Sequence, residues 1–275
     1  MKRIAVGLLA LAALIGGTAG CTPKPAPAPE GTLTVAVLDV GKADCILIEE
    51  SAGGAMLIDT GTRESAARIL DFLQSRGIDA LETLLLTHMD KDHIGGAAAI
   101  LNAMPIGRVM QPGADKDSGE YTAYRAALAE KGIESQTLRE AERADLGGAA
   151  VTLIPGREPR YKQSNDYSVF VEIVYGDHRF LFTGDGEKKR LQEYLDAEPK
   201  PCDFLKVPHH GRTEKNSEAF FQVVAPRYAV ITCSEEEPPE DEALALLQAA
   251  GAETYLTSGG TVTAVSDGRT LTVTQ

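Results

Sequence analysis

Basic charge is scarce in this sequence: 27 lysines and arginines stand against 40 aspartates and glutamates, for a formal net charge of −13. That balance argues against a general basic face of the kind that displaces phosphate counterions and binds nucleic acid without regard to sequence, and leaves room only for local patches. Cysteine is scarce as well. Its 4 copies show no CxxC spacing, which argues against a disulfide framework; Cys45 and Cys233 in apolar strand-like runs, and Cys202 in a turn, read as buried free thiols. The apolar run "IAVGLLALAALIG" is too short to cross a bilayer comfortably, no short-period repeat is evident, and no long linker divides the chain after Gly31. Histidine occurs only 5 times, so where it clusters carries information.

The chain opens on Met1-Lys2-Arg3, continues through that apolar run, and reaches small residues ending in Thr18-Ala19-Gly20-Cys21. These are the zones of a secretory signal, and the small residues before Cys21 resemble a bacterial lipobox. The expected organisation is a signal peptide over 1–20, a lipidated Cys21 with a Pro-rich tether over 21–31, and one folded domain over 32–275, held outside the cytoplasm at a bacterial membrane. "TPKPAPAPEG" suits a tether because it forms neither a helix nor a central strand and stays extended. Loss of Lys2 and Arg3 with the signal takes the net charge from −13 to −15.

From Gly31 onward the hydrophobic period switches repeatedly between two and 3.6. "LTVAVLDV", "ADCILIE", "GGAMLIDTG", "ALETLLLTH" and "RVMQPG" read as strands; "RESAARILDFLQSRG", "IGGAAAILNAM" and "SGEYTAYRAALAEKGI" read as helices. The second half repeats the alternation, with strands "AAVTLIPG", "YSVFVEIVYGDHRFLFTGD", "DFLKV" and "YAVITC", helices "KKRLQEYLDA", "NSEAFFQVV" and "DEALALLQAAGA", and a last hairpin "TVTAVSDGRTLTV". Strand-rich halves with helices between them imply an α/β (α+β) fold of two sheets packed face to face with helices outside.

Four of the histidines fall in two short motifs. "LLLTHMDKDHIGG" sets His88 and Asp90 two apart and Asp92 beside His93, between a buried strand and a small-residue helix start. Residues two apart in an extended loop point the same way, whereas an adjacent pair at a helix start diverges, so two ligand pairs aimed at neighbouring metal ions follow. Further donors are expected at other strand ends. Asp185 follows the apolar strand of "FLFTGDGE", His209 and His210 follow that of "FLKVPHHGR", and Asp59 ends "MLID" in the same style. His178, beside the turn of "YGDHRF", reads as exposed rather than ligating.

Taken together, "THMDKDHIGG", "FLFTGD", "LKVPHHGR" and the opening "LDVGKADCILIE" resemble the metallo-β-lactamase superfamily, in particular its ComEC-like metallo-hydrolase branch in free-standing form. The resemblance runs from about Thr32 to the C-terminus. It implies a four-layer αββα sandwich with a two-metal site at one edge, His88, Asp90, Asp92 and His93 as ligands, Asp185 as the bridge, and a further ligand from the His209–His210 pair. Asp90 stands where most of the superfamily has histidine. The histidine before the "TGD" strand is absent, and Asn165 or Asp166 of "SNDYS" is the substitute donor. Harder oxygen donors make manganese or magnesium as suitable as zinc.

Metal ions among aspartates leave a centre that does not repel an anion, and they activate water and clamp the attacking and departing oxygens. The expected activity is therefore phosphodiester hydrolysis, on nucleic acid or on a wall-polymer or small phosphodiester, with no obligate protein partner. Lactone or β-lactam opening, or ligand binding by an inactive relative, are the alternatives. The catalytic candidates are Asp92, Lys206, His209 and His210, since whichever histidine does not bind metal could protonate the leaving oxygen. Lys206 and Arg212 beside the histidine pair, and Arg157, Arg160 and Lys162 before "SNDYS", are the cations expected to meet phosphate.

Overall fold

The computed structural model describes residues 29–275. The expected signal peptide, Cys21 and most of the spacer lie outside the described residues. The remaining chain forms the expected four layers. One sheet has the order β15-β14-β1-β2-β3-β4-β5-β6 and the other β13-β12-β11-β10-β9-β8-β7. The first contains β1 (Leu33–Val37), β2 (Ile46–Glu50), β3 (Ala55–Ile58), β4 (Leu81–Leu85), β5 (Ile106–Pro112), β6 (Gln136–Leu138), β14 (Val262–Ser266) and β15 (Leu271–Thr274). The second contains β7 (Glu142–Leu146), β8 (Ala149–Ile154), β9 (Phe170–Tyr175), β10 (His178–Phe182), β11 (Phe204–Lys206), β12 (Tyr228–Ile231) and β13 (Glu253–Leu256).

Strand parity builds three cores. In β2, Ile46 and Ile48 join the core between the sheets, while Leu47 turns to the helices outside. In β10, Phe180 and Phe182 point between the sheets and Leu181 points outward. A strand covered on both faces has no polar side, which is why these segments read as continuous apolar runs. Helices α1 (Ala66–Ser75), α3 (Ala97–Ala103) and α4 (Gly119–Lys131) cover the first sheet; α5 (Lys188–Leu195), α6 (Ser217–Val224) and α7 (Asp241–Ala249) cover the second.

Two details depart from the sequence reading. The helix expected over "IGGAAAILNAM" is divided: α2 (Lys91–Ile94) is a single turn carrying Asp92 and His93, and α3 follows after Gly95 and Gly96. A Cβ on Gly96 would lie 2.4 Å from the Thr60 carbonyl oxygen, and one on Gly95 would lie 2.5 Å from the Arg63 nitrogen. The glycines therefore let α2 press against the loop after β3. Strands β6, β7 and β13 were not evident in the sequence, and all three are sheet edges. An edge is only half covered, so its sequence keeps charge, as in "ERADL", and loses the apolar run.

Strands β3, β4, β5 and β6 are mutually parallel, as are β10, β11, β12 and β13; β1 and β8 share those directions through antiparallel partners. The loops leaving β1, β3, β4, β5, β8, β10, β11 and β12 consequently open on one edge of the sandwich. Donors far apart in sequence meet there.

Candidate metal centre

Asp92, His93, Asp185 and His210 form one group whose ligand atoms all lie within 4.8 Å of one another. His93 Nε2 faces Asp185 Oδ1 at 3.3 Å, and His210 Nε2 faces Asp185 Oδ2 at 3.2 Å and Asp92 Oδ2 at 3.6 Å. Both imidazole nitrogens and Asp185 Oδ1 are buried without a hydrogen-bond partner. Buried polar atoms are ordinarily paired. Atoms left open and converging from two histidines and two carboxylates are what a divalent cation requires, so the donor set fits one.

Each donor is held from behind. His93 Nδ1 donates to Asp59 Oδ2 at 2.7 Å, and Asp59 is itself fixed by the Thr87 amide at 2.7 Å and the Thr87 hydroxyl at 2.6 Å. Asp59 adopts φ +59° to turn its carboxylate inward, so it supports a ligand rather than lying in the four-donor group. His210 Nδ1 lies 2.8 Å from the Thr232 hydroxyl, which donates to Asp44 Oδ1 at 2.7 Å. The Asp185 amide donates to the Ser168 hydroxyl at 3.1 Å. Such outer partners set the tautomer and the ring angle of a metal-binding histidine.

The electrostatics without metal show how much charge is packed here. Burial opposes ionisation of Asp185, but His210 and His93 hold its carboxyl well below the usual range. Burial likewise works against charge on His210, and Asp185 and Asp92 overcome it, pushing the imidazole up to about 9. His93 is raised well above its ordinary value by Asp185 and Asp59 against burial. Protons hold the group together where a cation would.

A second position beside this group is built differently. His88 is fully buried, its Nε2 has no hydrogen-bond partner, and burial followed by the neighbouring His93 pushes it down to about 3, so it is a neutral donor. Asp90, next to it in the motif, is already engaged: Lys116 Nζ donates to its Oδ1 at 2.8 Å, and the Ser164 hydroxyl donates to the same oxygen. Asn165 Nδ2 lies 3.0 Å from Glu187 Oε1 and 3.2 Å from His209 Nε2. Asp166 accepts from the Arg190 amide at 3.0 Å and caps the start of α5. Asp166 belongs to no donor group with His88 among the described residues, and Asn165 turns its amide nitrogen to Glu187 and His209. The two expected metal positions are therefore unequal: the first has four converging donors, whereas at the second an open His88 stands beside an Asp90 already paired with Lys116 and Ser164.

His209 and His210 diverge despite being adjacent. Both take left-handed backbone, φ +47° and +52°. This turns His210 into the four-donor group and His209 toward the mouth, where Glu187, His209 and Glu214 form a more exposed trio. Burial lowers the His209 imidazole.

The cations divide in the same way. Lys206 was expected to meet phosphate, but its side chain is fully buried, its Nζ lies 2.5 Å from Asp44 Oδ2, and it donates to the Gly184 carbonyl at 3.2 Å. That expectation is corrected by strand parity, because Lys206 follows Phe204 on the inner face of β11. Arg157, Arg160, Lys162 and Arg212 are exposed. Arg157 lines a cavity of about 190 Å³ with Arg139, Tyr161 and Tyr167, and Arg212 Nε lies 3.8 Å from Glu240. His178 is also corrected: it is 7% exposed and lies 2.7 Å from the Ser266 hydroxyl under the last hairpin. Cys45, Cys202 and Cys233 are buried free thiols, as expected.

Sequence reasoning passed over Asp44, Thr232, Lys116 and Ser164. Asp44 lies inside the "LDVGKADC" stretch that carried the resemblance, Thr232 near the end of the apolar run "YAVITC" and Ser164 at the start of "SNDYS", all open to notice; Lys116 sits in a polar loop with no signal of its own. A family model described as the metallo-beta-lactamase superfamily matches residues 38–234. ComE operon protein 3 of Bacillus subtilis is 26% identical over 235 residues, covering 78% of this chain and 30% of that protein. Recombination protein 2 of Haemophilus influenzae is 31% identical over 215 residues, covering 75% of this chain and 25% of that protein. The chain thus spans less than a third of these relatives. The crystal structure of the metallo-beta-lactamase fold protein YhfI from Bacillus subtilis superposes with a TM-score of 0.58 at 11% identity, covering 82% of this chain and 98% of that one. Matched over most of its domain and carrying the same arrangement of layers, the chain belongs to the metallo-β-lactamase superfamily.

Proposed function

We propose that the protein is a metal-dependent phosphodiester hydrolase, tethered outside the cytoplasm through a lipid on Cys21. The observation that carries the reading is the convergence of Asp92, His93, Asp185 and His210, with open buried donor atoms, at the edge where eight strand-end loops meet. A divalent ion held there would supply Lewis acidity and an activated water to phosphoryl transfer. Two imidazoles and two carboxylates suit manganese or zinc, with magnesium as a harder alternative.

The chain's own groups take the remaining roles. His209 is the histidine left outside the four donors, and its imidazole beside Glu187 handles the proton of the leaving oxygen. Asn165 orients that ring. Arg157, Arg160 and Arg212 meet the phosphates of an extended substrate, as exposed cations on loops at the same edge. Similarity to a protein named for recombination favours nucleic acid among the phosphodiesters.

The test is a screen of metal-reconstituted protein against bis(p-nitrophenyl) phosphate, single-stranded DNA and a lactone. Manganese- or zinc-dependent cleavage of the phosphodiesters, lost on chelation and in Asp185→Asn, is expected. Lactone turnover without phosphodiester cleavage would overturn the reading. For the tether, Cys21→Ser is expected to move the protein out of the membrane fraction with the domain intact; unchanged fractionation refutes the anchor.

A further inference from the structure

The position beside the four-donor group raises a separate question: what balances the charge of Asp90. In a metal site of two equal ions this carboxylate would face the second one. Here it faces an ammonium. Lys116 comes from the loop after β5, reaches Asp90 Oδ1 at 2.8 Å and Ser164 Oγ at 3.1 Å, and is 35% exposed at the rim of the cleft. Ser164 closes the arrangement by donating its own hydroxyl to Asp90. Of the two substitute donors, Asn165 turns its amide nitrogen to Glu187 and His209, and Asp166 is drawn to the Arg190 amide in the first turn of α5.

We propose that Lys116 is the second cation of this centre: its ammonium, fixed on Asp90 and Ser164, stands in place of a second divalent ion, so the protein holds one metal ion and one lysine. The proposal rests on the metal-dependent phosphodiesterase reading for its chemistry, though not for its metal count. An ammonium has three donors. Asp90 and Ser164 take two, and the third, at a partly exposed position, is left for a non-bridging oxygen of the substrate phosphate. A lysine beside one metal would then share the negative charge that two metals otherwise share.

Metal-stripped full-length protein is titrated with manganese, with ions per chain read by calorimetry and by elemental analysis after desalting, for wild type, Lys116→Ala and Lys116→Arg. Wild type and Lys116→Arg are expected to retain one ion, and Lys116→Ala, with Asp90 released, two. On bis(p-nitrophenyl) phosphate with manganese held at one ion per chain, Lys116→Ala should lose about tenfold or more in kcat/KM, the scale of one charge-assisted contact, and Lys116→Arg should recover most of it. Two tightly held ions in the wild type, or one in Lys116→Ala, would overturn the proposal. A count that follows Lys116 while no variant cleaves any phosphodiester leaves Lys116 in place and defeats the functional reading instead; cleavage by a protein that holds two ions whatever residue is at 116 does the reverse.

Discussion

Two lysine–aspartate pairs flank the same centre and differ in almost everything but their chemistry. Lys206 and Asp44 are fully buried, with Nζ 2.5 Å from the carboxylate. Lys116 and Asp90 meet at 2.8 Å with 35% and 28% of their side chains exposed. In the dry interior a charge without its partner is very costly, so the inner pair is locked, and Lys206 holds the Asp44 carboxyl below its usual range against the opposing effect of burial. At the rim, water compensates a broken pair, so the bond contributes little to folding stability. The inner pair belongs to the scaffold behind His210; the outer pair stands partly exposed at the rim.

The largest effect expected from breaking this contrast is at Lys206. Lys206→Met should destabilise the protein by about 3–5 kcal/mol, because Asp44 is left charged and buried, whereas Lys116→Met should stay within about 1 kcal/mol. Urea unfolding of the metal-free proteins measures both, and equal losses would remove the distinction between scaffold and rim. Next comes the centre that both pairs serve. Asp185→Ala should weaken metal binding by more than a hundredfold, since this carboxylate faces both His93 and His210. Asp59→Ala, which removes only the support of His93, should cost about 10–100-fold. Competition with a chromogenic chelator orders the two.

Acidity sharpens the same comparison. The His210 imidazole, raised to about 9, and His93, also raised, keep their protons at neutral pH in the metal-free protein. A raised folded value means that the stability they contribute is fully present below the ordinary histidine value near 6.5 and is lost as pH rises through about 9. Metal must displace those protons, so its affinity should climb by up to about one logarithmic unit per pH unit for each histidine until that point, with proton release visible in buffers of different ionisation enthalpy. An affinity flat between pH 6 and 8 would contradict the charge arrangement at the centre. The smallest effect belongs to the outermost cations: Arg157→Ala and Arg160→Ala should each leave stability within about 0.5 kcal/mol and lower the salt slope of single-stranded DNA binding by roughly one unit. A slope unaltered in the double variant would confine recognition to the metal centre.

How much of this was legible in the sequence follows from burial. "LLLTHMDKDH", "FLFTGD" and "FLKVPHH" announced themselves because each sets metal-binding side chains directly after a strand buried on both faces, and four of 5 histidines lie in them. The edge strands β6, β7 and β13 did not, because half-covered strands keep polar residues and lose the pattern. Alternation in β11, with Phe204 inward and Leu205 outward, was enough to send Lys206 inward, though its charge suggested the surface.

The sequence by itself determined the layers and the strand ends at which histidines and aspartates gather, because hydrophobic period and residue chemistry are local properties. Only the tertiary structure decided which four of those side chains converge and which carboxylates stand behind them. Thr232 reaches Asp44 across 188 residues and Ser164 reaches Asp90 across 74; no local pattern encodes such a meeting. The left-handed turn at His209 and His210 separated a metal donor from its neighbour, and the packing of the loop after β5 brought Lys116 to Asp90. Those outcomes depend on how two sheets close over a common core, since a side chain's partners are set by where its strand ends in space and not by what precedes it in the chain.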